Sequence, residues 1–159
     1  MSEDKKFINM SVVRREDQRK VMEEIEEQGH CPFCKENLHK YHKAPIIKEG
    51  EFWLLTENQW PYKNVKHQLL AIYKEHVEHI EGINPKAGQE LFEMFIDESK
   101  KRKISGGGLA MRFGTSPHGN YGSSVAHAHA HLIEPDLEAL GETEAFRFKF
   151  GQPNNYKKE

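Results

Sequence analysis

The sequence has no apolar run approaching the roughly 20 residues that a membrane span requires. It has no surplus of one charge sign either: 23 Lys and Arg stand against 25 Asp and Glu, a formal net charge of -2. A pI near 6.6 leaves no electrostatic footprint for nucleic acid. Internal repeats and low-complexity segments are absent. The opening residues, Met1-Ser2-Glu3-Asp4-Lys5-Lys6, contain no apolar segment of the kind that directs export, so the expectation is a cytoplasmic chain. Cysteine is scarce, with two residues spaced Cys31-Pro32-Phe33-Cys34. In a cytoplasmic setting that spacing argues against a structural disulfide. The 159 residues suit one domain with its own core, and a mean hydropathy of -0.82 describes a soluble surface.

What is present gives a coarse order of elements. Residues from about Arg14 to Gln28 predict a helix with a short apolar stripe of Val21, Met22 and Ile25, ended by Gly29. Its mostly charged surface suggests a peripheral extension or a subunit contact. Residues 51–56 and 68–73 are β-leaning runs joined by a turn-rich segment, which makes an antiparallel pair. Asn84-Pro85 predicts a helix start, followed by Ala87, Leu91, Phe92, Phe95 and Ile96 as a core-facing stripe. Asp97/Lys101 and Glu98/Arg102 are spaced as ion pairs on that helix, and Gly106-Gly107-Gly108 would end it. Leu109, Met111 and Phe113 alternate along a further strand. Phe146, Phe148 and Phe150 alternate with Arg147 and Lys149 as a candidate last strand. These elements make an α+β domain whose sheet is mostly antiparallel, with one long helix covering a face and an N-terminal helix added. A single domain over 1–159 is expected, with about 1–29 as a helical extension and about 136–159 as a variable tail.

The chemistry concentrates in His127-Ala128-His129-Ala130-His131-Leu132-Ile133. Only a strand puts three histidines at every second position on one face. The opposite face then carries Ala126, Ala128, Ala130 and Leu132, suited to close packing under a helix. The approach, from Gly114 through His118 to Ser124, is polar and glycine-rich, as in loops whose backbone N–H groups cradle an anion. Cys31-x-x-Cys34 has three readings. Lys35-Glu36-Asn37-Leu38 does not read as a helix start, which speaks against a redox pair. Two buried free thiols leave the spacing unexplained. Half of a zinc site fits best, completed either by nearby His39 and His42 or by distant histidines.

The triad run resembles the signature of the histidine triad superfamily of nucleotide hydrolases and transferases. Asn58-Gln59-Trp60-Pro61-Tyr62, the stretch His67 to His76 and Gly122-Ser123-Ser124-Val125-Ala126-His127 are similar to other segments of that family's pattern, so the resemblance spans about residues 31–135. Lys66 and Tyr73 depart from it, standing where glycine and proline are usual. The resemblance implies a sheet of about five strands, a homodimer, and a nucleotide substrate cleaved at its α-phosphate through a covalent nucleotidyl-histidine. It implies His129 as nucleophile, with His131 on the phosphate oxygens, supported by His67. It also implies substrate contacts from Asn58, Gly122, Ser124 and His131, and structural zinc, one per chain, held by Cys31, Cys34, His76 and His127. His131 speaks against the galactose-1-phosphate uridylyltransferase branch, where glutamine takes that position. A phosphoramidate or dinucleoside polyphosphate hydrolase fits better, alongside a nucleotidyltransferase or phosphorylase. A nucleotide-binding regulator with little turnover and a small zinc protein with a nucleic-acid role are the readings from other classes. No membrane partner is expected. His118 would face the substrate or solvent, and His30 and His79 the surface.

Overall fold

The structure, a computed structural model, describes residues 5–114 and 121–151; His118 lies outside them. Helices α1 (Glu16–Gln28) and α2 (Lys35–Tyr41) precede strands β1 (Ile46–Glu49), β2 (Trp53–Glu57) and β3 (Val65–Tyr73). The long helix α3 (Lys86–Arg102), strands β4 (Gly108–Arg112) and β5 (His129–Pro135), and the short helix α4 (Leu137–Leu140) follow. The five strands form one sheet in the order β1-β2-β3-β5-β4, and every pairing is antiparallel. Among the described residues no strand pair has the parallel βαβ arrangement that a thioredoxin-like cysteine pair would need.

The triad strand divides the molecule as its period-2 pattern dictates. Ala128, Ala130 and Leu132 point one way, with Leu69, Ala71 and Tyr73 of β3, and bury against Ala87, Met94 and Phe95 of α3. The alanines leave room for the helix to lie close. His129 and His131 point the other way, toward the face shared with Leu70 and Ile72. Gly107 permits the approach of β4 to β5, since a Cβ there would run into the Ile133 carbonyl.

Several sequence expectations need correction. A helix does follow Cys34, which itself stands at the N-cap. Strand β1 was not foreseen. The stripe of α3 is narrower than expected: Phe92 and Ile96 are 56% and 47% exposed, while Met94 and Glu98 are buried. Glu98 pairs with both Lys101 and Arg102, whereas Asp97 reaches Lys48 instead of Lys101. The helix ends at Lys103 in the left-handed conformation, ahead of the glycines. Residues 146–150 join no strand ladder among the described residues. Nor is α1 peripheral. Met22 and Ile25 bury with Cys31, Tyr41 and Val125, and Ile8 bridges to Val125 just before the triad.

One carboxylate of α3 fixes the β1–β2 turn. Glu90 accepts hydrogen bonds from the backbone N–H groups of Glu51 at 2.6 Å and of Phe52 and Trp53 at 2.8 Å. A Glu90→Ala variant loses a charge-assisted acceptor for three amides, a cost of about 2 kcal/mol. At this size that lowers Tm by roughly 4–8 °C. A scanning-calorimetry shift under a degree would show that water replaces the carboxylate without loss.

Candidate active site and metal-ligand cluster

His129 and His131 open β5 and are each only 5% exposed. Nδ1 of His129 lies 2.6 Å from the His127 carbonyl oxygen. A carbonyl only accepts, so Nδ1 carries the hydrogen and Nε2 keeps its lone pair. The neighbouring ring has the opposite tautomer. Gln68 accepts from the Tyr62 N–H at 2.7 Å through Oε1, which turns its Nε2 toward His131 Nδ1 at 3.2 Å. Gln68 donates there, so the His131 hydrogen sits on Nε2. The rings stand edge to face, 5.3 Å between centroids. One ring thus offers a nucleophilic nitrogen and the next a hydrogen-bond donor. Burial lowers the His129 pKa to about 4. Burial also lowers that of His131, helped by the charges of His129, Arg112 and Arg14. Both rings are therefore neutral near pH 7.

His67 does not reach His131. It faces Glu134 across the sheet, and its Nδ1 donates to that carboxylate at 2.7 Å. The parity of β3 explains the correction. Leu69, Ala71 and Tyr73 face α3, so Gln68, Leu70 and Ile72 face the triad, and a register shift at Val65/His67 sets His67 beside Glu134. Strand alternation was the signal that could have found Gln68.

The cavity beside the two rings encloses about 70 Å³. Asn58, Gly122 and Ser124 line it, and so do Arg14, Tyr62 and Arg112, which sequence reasoning missed. Asn58 Oδ1 is committed to the Trp60 N–H at 2.9 Å. Gly122 has φ +91, and a Cβ there would lie 3.1 Å from Arg112 Nε, so the glycine lets the arginine close in. Arg112 lies opposite His129 in the β4–β5 register. Its guanidinium stacks 3.7 Å over Phe148 and donates to the Lys149 carbonyl at 2.8 Å and the Tyr62 hydroxyl at 3.1 Å. Phe148 in turn stands 5.6 Å from the His131 ring. The tail therefore closes over the triad.

On the other side of His129, four ligand-type side chains converge. Cys31, Cys34, His76 and His127 offer donor atoms within 4.8 Å of one another. Cys31 Sγ is 3.3 Å from His127 Nδ1, Cys34 Sγ is 3.4 Å from His76 Nδ1, and the two Nδ1 atoms are 3.2 Å apart. Each imidazole turns its Nε2 hydrogen outward, His127 to the Tyr73 carbonyl at 2.6 Å and His76 to Glu78 at 2.9 Å. Both Nδ1 lone pairs consequently face the sulfurs. Burial raises the Cys31 pKa to about 12 and that of Cys34 as well. Phe33 wedges between cluster and site, 6.0 Å from the His127 ring and 5.3 Å from that of His129. The local alternative is not assembled. His42 bonds Thr56 at 2.7 Å and His39 is exposed on α2. His30 bonds the Tyr41 hydroxyl at 2.8 Å, and His79 caps a short 3-10 turn.

No protein-family model matches the sequence, and no curated protein matches it. Solved structures do match. The histidine triad nucleotide-binding protein of Candida albicans is 19% identical, over 82% of this chain and 85% of that one, with a TM-score of 0.55. A histidine triad protein from Clostridium difficile is 17% identical over 79% and 96%, with a TM-score of 0.52. A Zn-bound histidine triad family protein from Mycobacterium smegmatis is 23% identical over 74% and 81%, with a TM-score of 0.50. At these identities the likeness concerns the fold.

Proposed function

We propose that this chain, which has the histidine triad fold, cleaves nucleotides at the α-phosphorus through a covalent nucleotidyl-His129 intermediate. The observation that carries this reading is the complementary pair of tautomers. Nε2 of His129 attacks phosphorus in line, and the bond to the leaving group breaks with its electron pair. His131 Nε2–H donates to a phosphate oxygen on which charge builds, and the backbone at Gly122 and Ser124 adds donors. Asn58 holds the ribose or a phosphate through its remaining amide nitrogen. Water then attacks phosphorus from the other side, the bond to Nε2 breaks and returns the lone pair to it, and the water's proton passes to the departed leaving group. His67 supports this from a distance, by tying β3 to β5 through Glu134. A nucleotidyltransferase or phosphorylase would use the same intermediate with a different acceptor.

Cys31, Cys34, His76 and His127 would hold zinc as a closed, structural site. The donor set fits. With bonds of about 2.3 Å to sulfur and 2.0 Å to nitrogen, tetrahedral geometry separates S and N by roughly 3.5 Å and two N atoms by roughly 3.3 Å, close to the spacing of these side chains. The outward Nε2 hydrogens match the supporting hydrogen bonds that metal-bound imidazoles make. The zinc-bound Mycobacterium smegmatis relative lends support. Such a site would fix the His127 carbonyl, and with it the His129 tautomer. The proposal includes a cytoplasmic homodimer acting on small nucleotides. Strand β4 is an edge strand with Leu109 49% exposed, which suits edge-to-edge pairing of two sheets. No described helix is long and apolar enough to cross a membrane.

The test is an acid-free quench of wild-type protein during turnover of nucleoside phosphoramidates and dinucleoside polyphosphates, followed by peptide mass analysis. A nucleoside monophosphate adduct on the His129 peptide is expected. Turnover without any adduct sinks the covalent step, and tight nucleotide binding with no turnover selects the regulator reading.

A further inference from the structure

The cavity beside His129 and His131 encloses about 70 Å³, far below the roughly 300–1,000 Å³ of sites that bury a small molecule. A nucleoside monophosphate does not fit it, so one wall has to move. Most walls are fixed. The sheet supplies one, Phe33 is wedged between the rings of His127 and His129, and Met22 and Val125 belong to a buried core cluster. The C-terminal tail is different. Residues 146–150 join no strand ladder among the described residues, and only Phe146 and Phe148 of them are half-buried. Both rings lie against Tyr62, at 5.8 and 5.9 Å between centroids, and Phe148 stands 5.6 Å from the His131 ring. Arg112 is the latch. It is 8% exposed, stacks 3.7 Å over Phe148, and its Nε donates to the Lys149 carbonyl at 2.8 Å. Among the described residues no carboxylate pairs with it. A buried guanidinium opposite His129 is thus satisfied by neutral acceptors, a tail carbonyl and the Tyr62 hydroxyl. A phosphate oxygen is ionised, and a phosphate takes two guanidinium N–H groups at once, so it is the stronger acceptor.

We propose that residues 146–150 form an autoinhibitory strap: clamped by Arg112, they keep the triad closed to nucleotides, and entry requires the strap to lift while Arg112 exchanges the Lys149 carbonyl for a phosphate oxygen. The inference rests on a nucleotide being the substrate at His129, and adds how access to that residue is controlled. The group that holds the strap down is the one the incoming phosphate claims, so binding and opening are coupled. The apparent affinity of such a protein is the intrinsic affinity scaled by the open fraction. Weakening the strap therefore raises affinity without altering the chemistry at His129.

The experiment uses the full chain, as wild type and as a Phe146→Ser/Phe148→Ser variant. Calorimetry with AMP and GMP reads binding, and adenosine phosphoramidate reads turnover. The variant is expected to bind the monophosphates at least about fivefold more tightly and to raise kcat/KM by a similar factor. In the wild type, hydrogen–deuterium exchange of the peptide covering residues 141–151 should quicken when AMP is bound, and this readout stands even if the variant fails to fold. Unchanged exchange overturns the strap, and slower exchange overturns it in favour of a lid that closes over substrate. Equal or weaker binding and turnover in a folded variant also overturn it, whereas binding seen only in the variant supports it. Turnover that depends on His129 and is equal in both proteins leaves the catalytic reading standing and removes the strap. If neither protein binds the monophosphates or turns over the phosphoramidate, both fall.

Discussion

Replacing His129 with alanine lowers turnover of the best nucleotide substrate by at least a thousandfold, and imidazole added to a His129→Gly variant restores part of it. The first effect follows from losing the ring whose Nε2 keeps its lone pair for attack, a transition-state cost of about 4 kcal/mol or more. The neighbouring ring cannot substitute. Gln68 donates to His131 Nδ1 and thereby leaves the hydrogen on the nitrogen facing substrate. His129 is 5% exposed and bonds the His127 carbonyl, so its removal also orphans an acceptor. That costs about 1–3 kcal/mol of stability, which a Tm measurement separates from the catalytic loss. His129→Gln keeps the bulk and should lose turnover equally. Rescue by imidazole is the diagnostic part, because a merely structural histidine is not replaced by a free ring acting as nucleophile. Full activity in His129→Ala, with the fold intact, would remove covalent catalysis at this residue.

Much of this arrangement was legible in the sequence because it depends on local periodicity. A spacing of two residues permits only a strand, and the alternation with Ala128 and Ala130 announces a helix packed beneath. The cysteine pair called for two further ligands, either nearby His39 and His42 or distant histidines; the resemblance to the histidine triad family implied His76 and His127, and these two lie with the cysteines. What was not legible depends on register and on exposed tails. The pairing of His67 with Glu134 follows from a shift between Val65 and His67 that no propensity encodes. Arg112 stands in the sequence between Met111 and Phe113, with nothing beside it to mark a site. Only the β4–β5 register sets it opposite His129, and only the tail's return brings Phe148 over it. Arg14 was read as part of a charged surface, since nothing in a helix pattern tells which charged residue sits at a cavity mouth.

Removing zinc, by chelation or by Cys31→Ser, should lower Tm by about 10 °C and reduce turnover, with one zinc per chain measured beforehand. The four side chains come from three separate segments: the approach to α2, the turn after β3 and the stretch leading into β5. A ligand bound only by the folded chain stabilises it by about 4 kcal/mol at a thousand times its dissociation constant, and each kcal/mol moves Tm by roughly 2–4 °C at this size. The protonation states give the pH dependence and its sign. Burial holds the Cys31 thiol up to about 12 and raises Cys34 too, so without a cation both sulfurs stay protonated near pH 7. Binding must expel both protons, and affinity falls by up to about 100-fold for each unit that pH is lowered. His127, pushed down to about 4 chiefly by burial, adds no proton to that count near neutrality. The loss of activity follows from geometry, because the ligand His127 also supplies the carbonyl that orients His129. His39→Ala and His42→Ala are the controls, since neither residue belongs to the cluster; both should keep the metal. Zinc lost in those variants, or a Tm indifferent to chelator and to Cys31→Ser, would overturn the assignment.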